Sequence, residues 1–186
     1  MLRIAIVVGS TRPGRKAEAV AQWVHGLASR RNDAQYELLD IAQYPLPLLD
    51  EPVPPSMHQY SKDHTRAWAA AVAQYDGYVF VTPEYNHGPS AALKNALDFV
   101  YAEWNNKAAG FVGYGSAGGV RAVEQLRQVM GELQVADVRA QVSLSLYTDF
   151  ENMSAFKPAS MHEKSVNTML DQLLAWSGAL KTLRAR

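Results

Sequence analysis

The feature that most constrains this chain is an apolar segment at its start, followed at once by a short polar turn. Residues 2–8 are almost all aliphatic and show no alternation of polar and apolar positions. An unbroken run of this kind is typical of a parallel strand that helices cover on both faces. The segment after the turn has the apolar spacing of an amphipathic helix, so the chain should begin with a buried strand, a turn and a helix.

The turn at residues 9–16 has the composition of an anion-binding loop. Gly9 lets the backbone leave the strand steeply, Ser10 and Thr11 supply hydroxyl groups, and the following helix would aim its N-terminus at the same place. Positive charge comes from three side chains, Arg12, Arg15 and Lys16. We interpret the turn as a phosphate-binding loop, with a strand-to-helix turn that binds nothing as the alternative.

Two common phosphate-binding motifs are excluded, because residues that they require are missing from this turn. A Walker A loop starting at Gly9 and passing through Gly14 would need a lysine and then a hydroxyl residue, where this chain has Arg15 and Lys16. The hydroxyl that binds Mg²⁺ is therefore missing, and hydrolysis of nucleoside triphosphates is not expected. The dinucleotide fingerprint fails in this turn as well, because Thr11 stands at the position of its second glycine.

The rest of the chain repeats the order strand then helix. Four further strands are predicted, at residues 36–41, 78–82, 108–114 and 140–144. Helical spacing of apolar residues directly follows the first, third and fourth strands. The second strand leads into a proline-rich segment at residues 42–57, predicted to be an ordered, extended surface loop, and the fifth into an irregular loop at residues 147–160, each before a helix. The pattern predicts an α/β fold with a doubly wound, five-stranded parallel sheet, helices on both faces, and a single domain over residues 1–186.

Conspicuous loops follow the first, third and fourth predicted strands. Carboxyl ends of parallel strands lie at one edge of the sheet, so residues 9–16, 83–89 and 113–119 should open onto the same edge. In the second of these loops, Tyr85 could lie along an aromatic ring and Asn86 offers both a donor and an acceptor. A planar heterocycle fits this set of groups, and the alternative is a loop whose asparagine and prolines only shape the turn.

The loop after the fourth strand happens to spell G-x-G-x-x-G at residues 113–118. Alone, the match would suggest a dehydrogenase that binds a dinucleotide and needs no other cofactor, with Asp137 as the ligand of the dinucleotide's ribose. The predicted strand begins only at residue 140, so Asp137 precedes it, whereas the acidic residue of a true fingerprint ends the strand. We interpret the loop instead as a ledge of small residues that lets a flat ligand approach the backbone, with Ser116 as a hydrogen-bonding group.

Composition excludes several classes of function. Eighteen basic residues balance eighteen acidic ones, which does not suggest binding to nucleic acid. The absence of cysteine removes disulfides, thiolate catalysis and metal–thiolate sites, and it suits a reducing compartment. The first apolar run is too short for a signal peptide or a membrane span, so we expect a cytoplasmic protein without a membrane partner.

No catalytic residues of the protein itself are predicted. The five histidines show no metal-binding spacing, only His87 lies where it could meet a ligand, and the chain has no G-x-S-x-G motif. A site without acid–base machinery of its own points to a cofactor that brings the chemistry. We therefore predict no metal.

Three motifs together resemble the NAD(P)H-dependent FMN reductase family, which has the flavodoxin-like fold and includes quinone, chromate and azo-dye reductases. They are G-S-T-R at residues 9–12, P-E-Y-N at residues 83–86 with L-K-N-A-L-D at residues 93–98, and G-S-A-G-G at residues 115–119. The likeness covers about the first 130 residues.

The resemblance implies a role for each loop. The FMN phosphate would be held by Ser10, Arg12, Arg15 and Lys16. The isoalloxazine ring would be bordered by Pro83, Glu84, Tyr85 and Asn86, and its pyrimidine end would meet Ser116, Gly118 and Gly119. Family members often carry serine and asparagine at the positions of Arg15 and Lys16, so the resemblance leaves open which of the two touches the phosphate.

The resemblance also implies an activity and an assembly. Noncovalent FMN would take a hydride from NADPH or NADH and pass it to a small acceptor such as a quinone, azo compound, chromate or free flavin. The alternative is a flavodoxin-type electron carrier with a protein partner, although such carriers are usually acidic and this chain is neutral. A homodimer or homotetramer is implied, in which Lys94 and Asp98 pair with each other or across the interface.

Overall fold

The computed structural model describes residues 1–184 and has a central sheet of five parallel strands. The strands are β1 (Arg3–Val8), β2 (Gln35–Asp40), β3 (Gly77–Pro83), β4 (Lys107–Gly115) and β5 (Val135–Ser145). Their order across the sheet is β2-β1-β3-β4-β5, and every neighbouring pair is parallel. This is the flavodoxin-like order, so the predicted fold class is confirmed.

In the described part of the chain five helices cover the sheet, with bounds α1 (Ala17–Ser29), α2 (Asp63–Ala73), α3 (Ala91–Asp98), α4 (Val120–Glu132) and α5 (Met161–Arg184). Side chains of α2, α3 and α4 pack with Ala5 and Val7 of β1 on one face. Side chains of α1 and α5 pack with Ile4 and Ile6 on the other. Successive residues of a strand point to opposite faces, so a strand buried on both sides has apolar residues throughout. None of the helices within residues 1–184 has the length and apolar character needed to cross a membrane.

The proline-rich segment is ordered and mostly extended, as predicted, with two short 3-10 turns at Ile41–Gln43 and Pro55–Met57. Leu46 packs against the core of its own chain, whereas Leu48 is 83% exposed.

The structure corrects two boundaries near the C-terminal part of the chain. Strand β5 begins at Val135, so Asp137 lies inside it and does not precede it as predicted; its carboxylate pairs with Arg127 of α4. The alternation of polar and apolar residues did not show the early start of β5. β5 is an edge strand, and its register against β4 shifts, which interrupts the alternation. The loop predicted at residues 147–160 contains a small antiparallel hairpin, β6 (Phe150–Glu151) with β7 (Ala155–Phe156).

Candidate functional site

The loops that follow β1, β3 and β4 meet at the carboxyl edge of the sheet, as the sequence predicts. They line a cleft of about 180 Å³, together with Leu146 and Met153 from the segment after β5. The guanidinium carbon of Arg12 lies 5.9 Å from the centre of the Tyr85 ring. This contact joins the cationic turn to the aromatic loop, so both can act on one ligand.

The turn after β1 is held tightly against its neighbours. The Gly9 amide donates to the Val81 carbonyl at 2.9 Å, and a Cβ at this position would lie 2.5 Å from that oxygen. Ser10 is fully buried, with its Oγ accepting a hydrogen bond from the Arg12 amide at 3.4 Å. Ser90, which caps α3, donates to the Gly9 carbonyl at 2.6 Å. The turn is therefore preorganised by packing.

The three cations of this turn have different surroundings. Arg15 donates to both carboxylate oxygens of Asp40 (2.7 and 2.5 Å) and to the Ser10 carbonyl (2.7 Å). The hydrogen bond to Asp40 is the main reason that the pKa of Arg15 is raised. Within residues 1–184 neither Arg12 nor Lys16 has a carboxylate partner. The charge of Arg15 is therefore balanced locally, and Arg12 and Lys16 give the cleft its positive character.

The loop after β3 is a two-residue turn. Tyr85 and Gly88 exchange backbone hydrogen bonds of 2.9 and 3.0 Å, and Asn86 and His87 between them both have positive φ, 49° and 69°. Asparagine tolerates this conformation well, whereas histidine needs support. Helix α4 supplies that support, because Gln125 donates to the His87 carbonyl at 2.7 Å.

Glu84 faces away from the open side of the cleft, although its backbone lines it. Its side chain is 3% exposed and accepts hydrogen bonds from the Arg121 amide at 3.0 Å and the Arg121 Nε at 2.6 Å, at the start of α4. Burial alone would raise the pKa of Glu84, but hydrogen bonds from Arg121 and from the Ala122 amide outweigh it and lower the pKa. A carboxylate at a helix N-terminus also interacts favourably with the helix dipole. Glu84 therefore fixes the loop to α4.

Replacing Glu84 with glutamine is expected to lower the free energy of unfolding by about 1–2 kcal/mol, and Tm by about 2–8 °C, because a buried charged acceptor is lost beside a partly exposed arginine. The pKa of Glu84 is depressed in the folded protein, so its contribution is complete above about pH 5 and lost as the pH falls through the folded value. The difference in Tm between wild type and variant should therefore shrink in acid.

Glu124→Gln is the matched control for this measurement, because Glu124 lies on the same helix with its side chain 63% exposed. Its Tm should change little at any pH. Equal effects of the two substitutions, or a Glu84→Gln effect that grows in acid, would contradict the role of Glu84 in fixing the loop after β3 to α4.

The loop after β4 follows directly on Gly115, the last residue of that strand, which lines the cleft. Gly118 and Gly119 both have a φ of +72°, and Gly119 caps the N-terminus of α4. Ser116 is exposed, whereas Gly118 and Gly119 are buried. None of these three residues is among those that line the cleft within residues 1–184, so the small-residue ledge stays a prediction.

Six residues that line the cleft were not among the predicted site residues: Pro13, Gly14, Tyr114, Gly115, Leu146 and Met153. The first two and Gly115 are neighbours of predicted residues, whereas Tyr114, Leu146 and Met153 were missed for other reasons. Burial raises the pKa of Tyr114, which the sequence presented only as the last apolar residue of a strand. Leu146 and Met153 carried no sequence signal, because the hairpin that brings Met153 to the cleft was not predicted.

Other predicted contacts are also resolved. Lys94 Nζ lies 2.6 Å from a carboxylate oxygen of Asp98, so the pair forms within one helix. His87 is exposed beside the cleft, and its Nε2 lies 2.8 Å from Nη1 of Arg121. Among residues 1–184 no three histidine or carboxylate side chains are grouped so that they could hold a metal ion.

Comparison with known proteins gives one consistent family. The NADPH-dependent FMN reductase family profile matches residues 2–149. An NAD(P)H-dependent FMN reductase of Nectria sp. is 38% identical over 174 residues, which is 89% of this chain and 86% of that protein. One of Schizosaccharomyces pombe is 40% identical over 149 residues, 79% of this chain and 74% of that protein. A 2-hydroxy-1,4-benzoquinone reductase of Burkholderia sp. is 29% identical over 94% of this chain and 96% of that protein.

Solved structures share the fold. The flavoenzyme NAD(P)H:(acceptor) oxidoreductase of Paracoccus denitrificans superposes with a TM-score of 0.70 at 17% identity, covering 98% of both chains. The apo form of an NADH:FMN oxidoreductase superposes with a TM-score of 0.68 at 18% identity, covering 93% of this chain and 90% of that one. At these identities the likeness concerns the fold alone.

Proposed function

Because this chain belongs to the NADPH-dependent FMN reductase family, we propose that its cleft holds noncovalent FMN and carries hydride from a nicotinamide to a small acceptor. The predicted family, the NAD(P)H-dependent FMN reductase activity and the FMN cofactor are confirmed by the same matches. They favour a reductase over the flavodoxin-type carrier that was the alternative. We further propose which residues bind each part of the cofactor, which acceptor is reduced and how the chains assemble.

The observation that carries the proposal is the contact between Arg12 and Tyr85, 5.9 Å from guanidinium carbon to ring centre. It places Arg12, which pairs with none of the carboxylates in the described residues 1–184, beside an aromatic ring at the mouth of one cleft. A phosphorylated, planar cofactor needs these two features together. The N-terminus of α1, which follows Lys16 directly, adds its partial positive charge to the same place.

We assign the phosphate to the turn after β1. Arg12 and Lys16 would neutralise it, because their charges have no carboxylate partner within residues 1–184. Ser10 and Arg15 would shape the turn, since the Ser10 side chain is buried and Arg15 is paired with Asp40. The four predicted phosphate residues therefore divide into two that carry net charge and two that position them.

We assign the ring to the other two loops. Pro83 and the backbone of Glu84 would form its inner border, with Tyr85 at its side, because all three residues line the cleft. Asn86 follows Tyr85 in the same turn and would lie next to it. Ser116, Gly118 and Gly119 would receive the pyrimidine end, because their loop follows directly on Gly115, which lines the cleft. Bound FMN would supply the hydride chemistry, and the protein would bind and orient it without an acid or base of its own.

We propose a small aromatic acceptor of the quinone type, because a Burkholderia relative that aligns over 94% of this chain is a 2-hydroxy-1,4-benzoquinone reductase. A homodimer or homotetramer is proposed as well, with the exposed Leu48 of the proline-rich segment as a candidate contact. The absence of cysteine supports the proposal of a cytoplasmic location.

An anaerobic titration of FMN-loaded protein with NADPH, and separately with NADH, tests the function. The visible absorbance band of the flavin should bleach in proportion to the nicotinamide added and return when a quinone is supplied. A band that stays oxidised would indicate a carrier that depends on a protein partner. Nicotinamide oxidation that needs no FMN would indicate the flavin-free dehydrogenase instead.

A further inference from the structure

The β6–β7 hairpin reaches back over the cleft, although it lies after the last strand of the sheet. Met153, in the turn between β6 and β7, lines the same cleft as Arg12 and Lys16. It is 54% exposed, which is high for an apolar side chain in an ordered segment. The hairpin also lies outside residues 2–149, which match the family profile.

The backbone at the tip of the hairpin is strained. Asn152 and Met153 have φ values of 50° and 53°. Asparagine adopts this conformation readily, but a long unbranched side chain without a local hydrogen bond does so at a cost. Strain of this kind persists only where the surrounding structure fixes it, and it is concentrated at functional sites.

Asp149 is the main polar anchor of the hairpin. It is 2% exposed, and its carboxylate accepts hydrogen bonds from the amides of Ser145 (2.9 Å) and Ala159 (3.1 Å). It also lies 2.9 Å from Nε2 of His162 at the start of α5. One buried carboxylate therefore ties together both ends of the segment that carries Met153.

Aromatic packing anchors the other side of the hairpin. Phe150 is 4% exposed, with its ring centre 6.1 Å from that of Tyr114 and 5.1 Å from that of Phe156. Phe156 in turn makes an edge contact with Trp23 of α1 at 5.5 Å. Because Tyr114 itself lines the cleft, the hairpin is packed directly onto the wall of the site.

We propose that the β6–β7 hairpin is a fourth cofactor-binding segment. In it, Met153 covers residues 10–16 of the phosphate-binding loop after β1 and keeps water away from the phosphate. This inference rests on the proposed function. The enclosed cleft of about 180 Å³ is smaller than the roughly 300 Å³ of an ordinary small-molecule pocket, so part of a bound FMN would lie at the rim. An apolar side chain there lowers the local dielectric constant and strengthens the attraction between a phosphate and the cations.

The test compares FMN with riboflavin, which has the same ring and no phosphate, by quenching of flavin fluorescence and by the rate of flavin release. Met153→Ala should raise the Kd of FMN about two- to tenfold, mainly through faster release, and should change the Kd of riboflavin much less. The loss of FMN affinity should grow with salt, because an uncovered phosphate is screened more strongly.

Met153→Gly separates the side chain from the backbone. Glycine accepts a positive φ at no steric cost, so this variant should match or exceed Met153→Ala in Tm and still bind FMN as weakly. Met161→Ala is the control, since Met161 is a 71% exposed methionine that does not line the cleft, and it should bind FMN as wild type does.

Unchanged FMN affinity in both Met153 variants, or an equal loss of FMN and riboflavin, would overturn the inference. The proposed function fails in a different way, through wild-type protein that binds no FMN or whose flavin NADPH does not reduce. If NADPH bleaches the flavin of the wild-type protein and the Met153 variants bind FMN as tightly as wild type, the proposed role of the hairpin is rejected. The proposed reductase function would still stand.

Discussion

Replacing Arg12 with alanine is expected to weaken FMN binding by roughly 10- to 100-fold and to leave riboflavin binding almost unchanged. A hydrogen bond to a charged group contributes about 1.5–3 kcal/mol, and 1.4 kcal/mol corresponds to tenfold in Kd. Arg12 is exposed, so its removal should leave the fold as it is. Titration of the apoprotein by flavin fluorescence gives both dissociation constants, and thermal unfolding shows that the variant is folded.

Arg30→Ala is the matched control, because it removes the same charge from an exposed arginine at the opposite end of α1. It should leave the Kd of FMN within about twofold of wild type, since charges more than a Debye length of about 10 Å apart are largely screened. The dependence of FMN affinity on salt should also become shallower in Arg12→Ala only. Similar losses of FMN and riboflavin in Arg12→Ala would place this arginine at the ring and contradict the phosphate assignment.

Replacing Gly119 with alanine is expected to have the largest effect on the fold around the site, with a loss of at least about 4 kcal/mol in the free energy of unfolding. The new Cβ would lie 2.4 Å from the Tyr114 amide nitrogen and 2.6 Å from the Gly113 carbonyl carbon, and the residue has a φ of +72°. Both contacts are to backbone, so no side chain can move aside. We expect little folded protein, or a folded remainder that does not bind FMN.

Gly131→Ala is the matched control, because it makes the same substitution inside α4, the helix that Gly119 caps. A Cβ at Gly131, inside α4, meets nothing within 4 Å, so alanine should stabilise the protein by about 0.5–1 kcal/mol through its higher helix propensity. Expression yield, Tm and FMN binding of the two variants give the comparison. A Gly119→Ala variant as stable as wild type would mean that the loop after β4 does not depend on a backbone free of side chains.

The sequence alone determined the framework of this protein. The unbroken apolar runs that became β1, β3 and β4 indicated strands buried on both faces, because only helices on both sides remove the need for polar positions. Parallel strands place their carboxyl ends at one edge, so the meeting of the loops after β1 and β3, seen in the contact of Arg12 with Tyr85, could be predicted without coordinates.

Only the tertiary structure decided what the individual side chains do. Arg12 and Arg15 could not be distinguished in the sequence. In the structure Asp40, twenty-five residues away from Arg15, balances the charge of Arg15 but not that of Arg12. Glu84 was predicted to border the ring, but the sequence did not show that its side chain is held by Arg121, thirty-seven residues further on. Met153 lines the cleft because Asp149 and the aromatic contacts of Phe150 fold the hairpin back. Local sequence carries the period of a strand and the shape of a turn, whereas the partner of a polar group is chosen by which distant groups the packed fold brings within hydrogen-bonding distance.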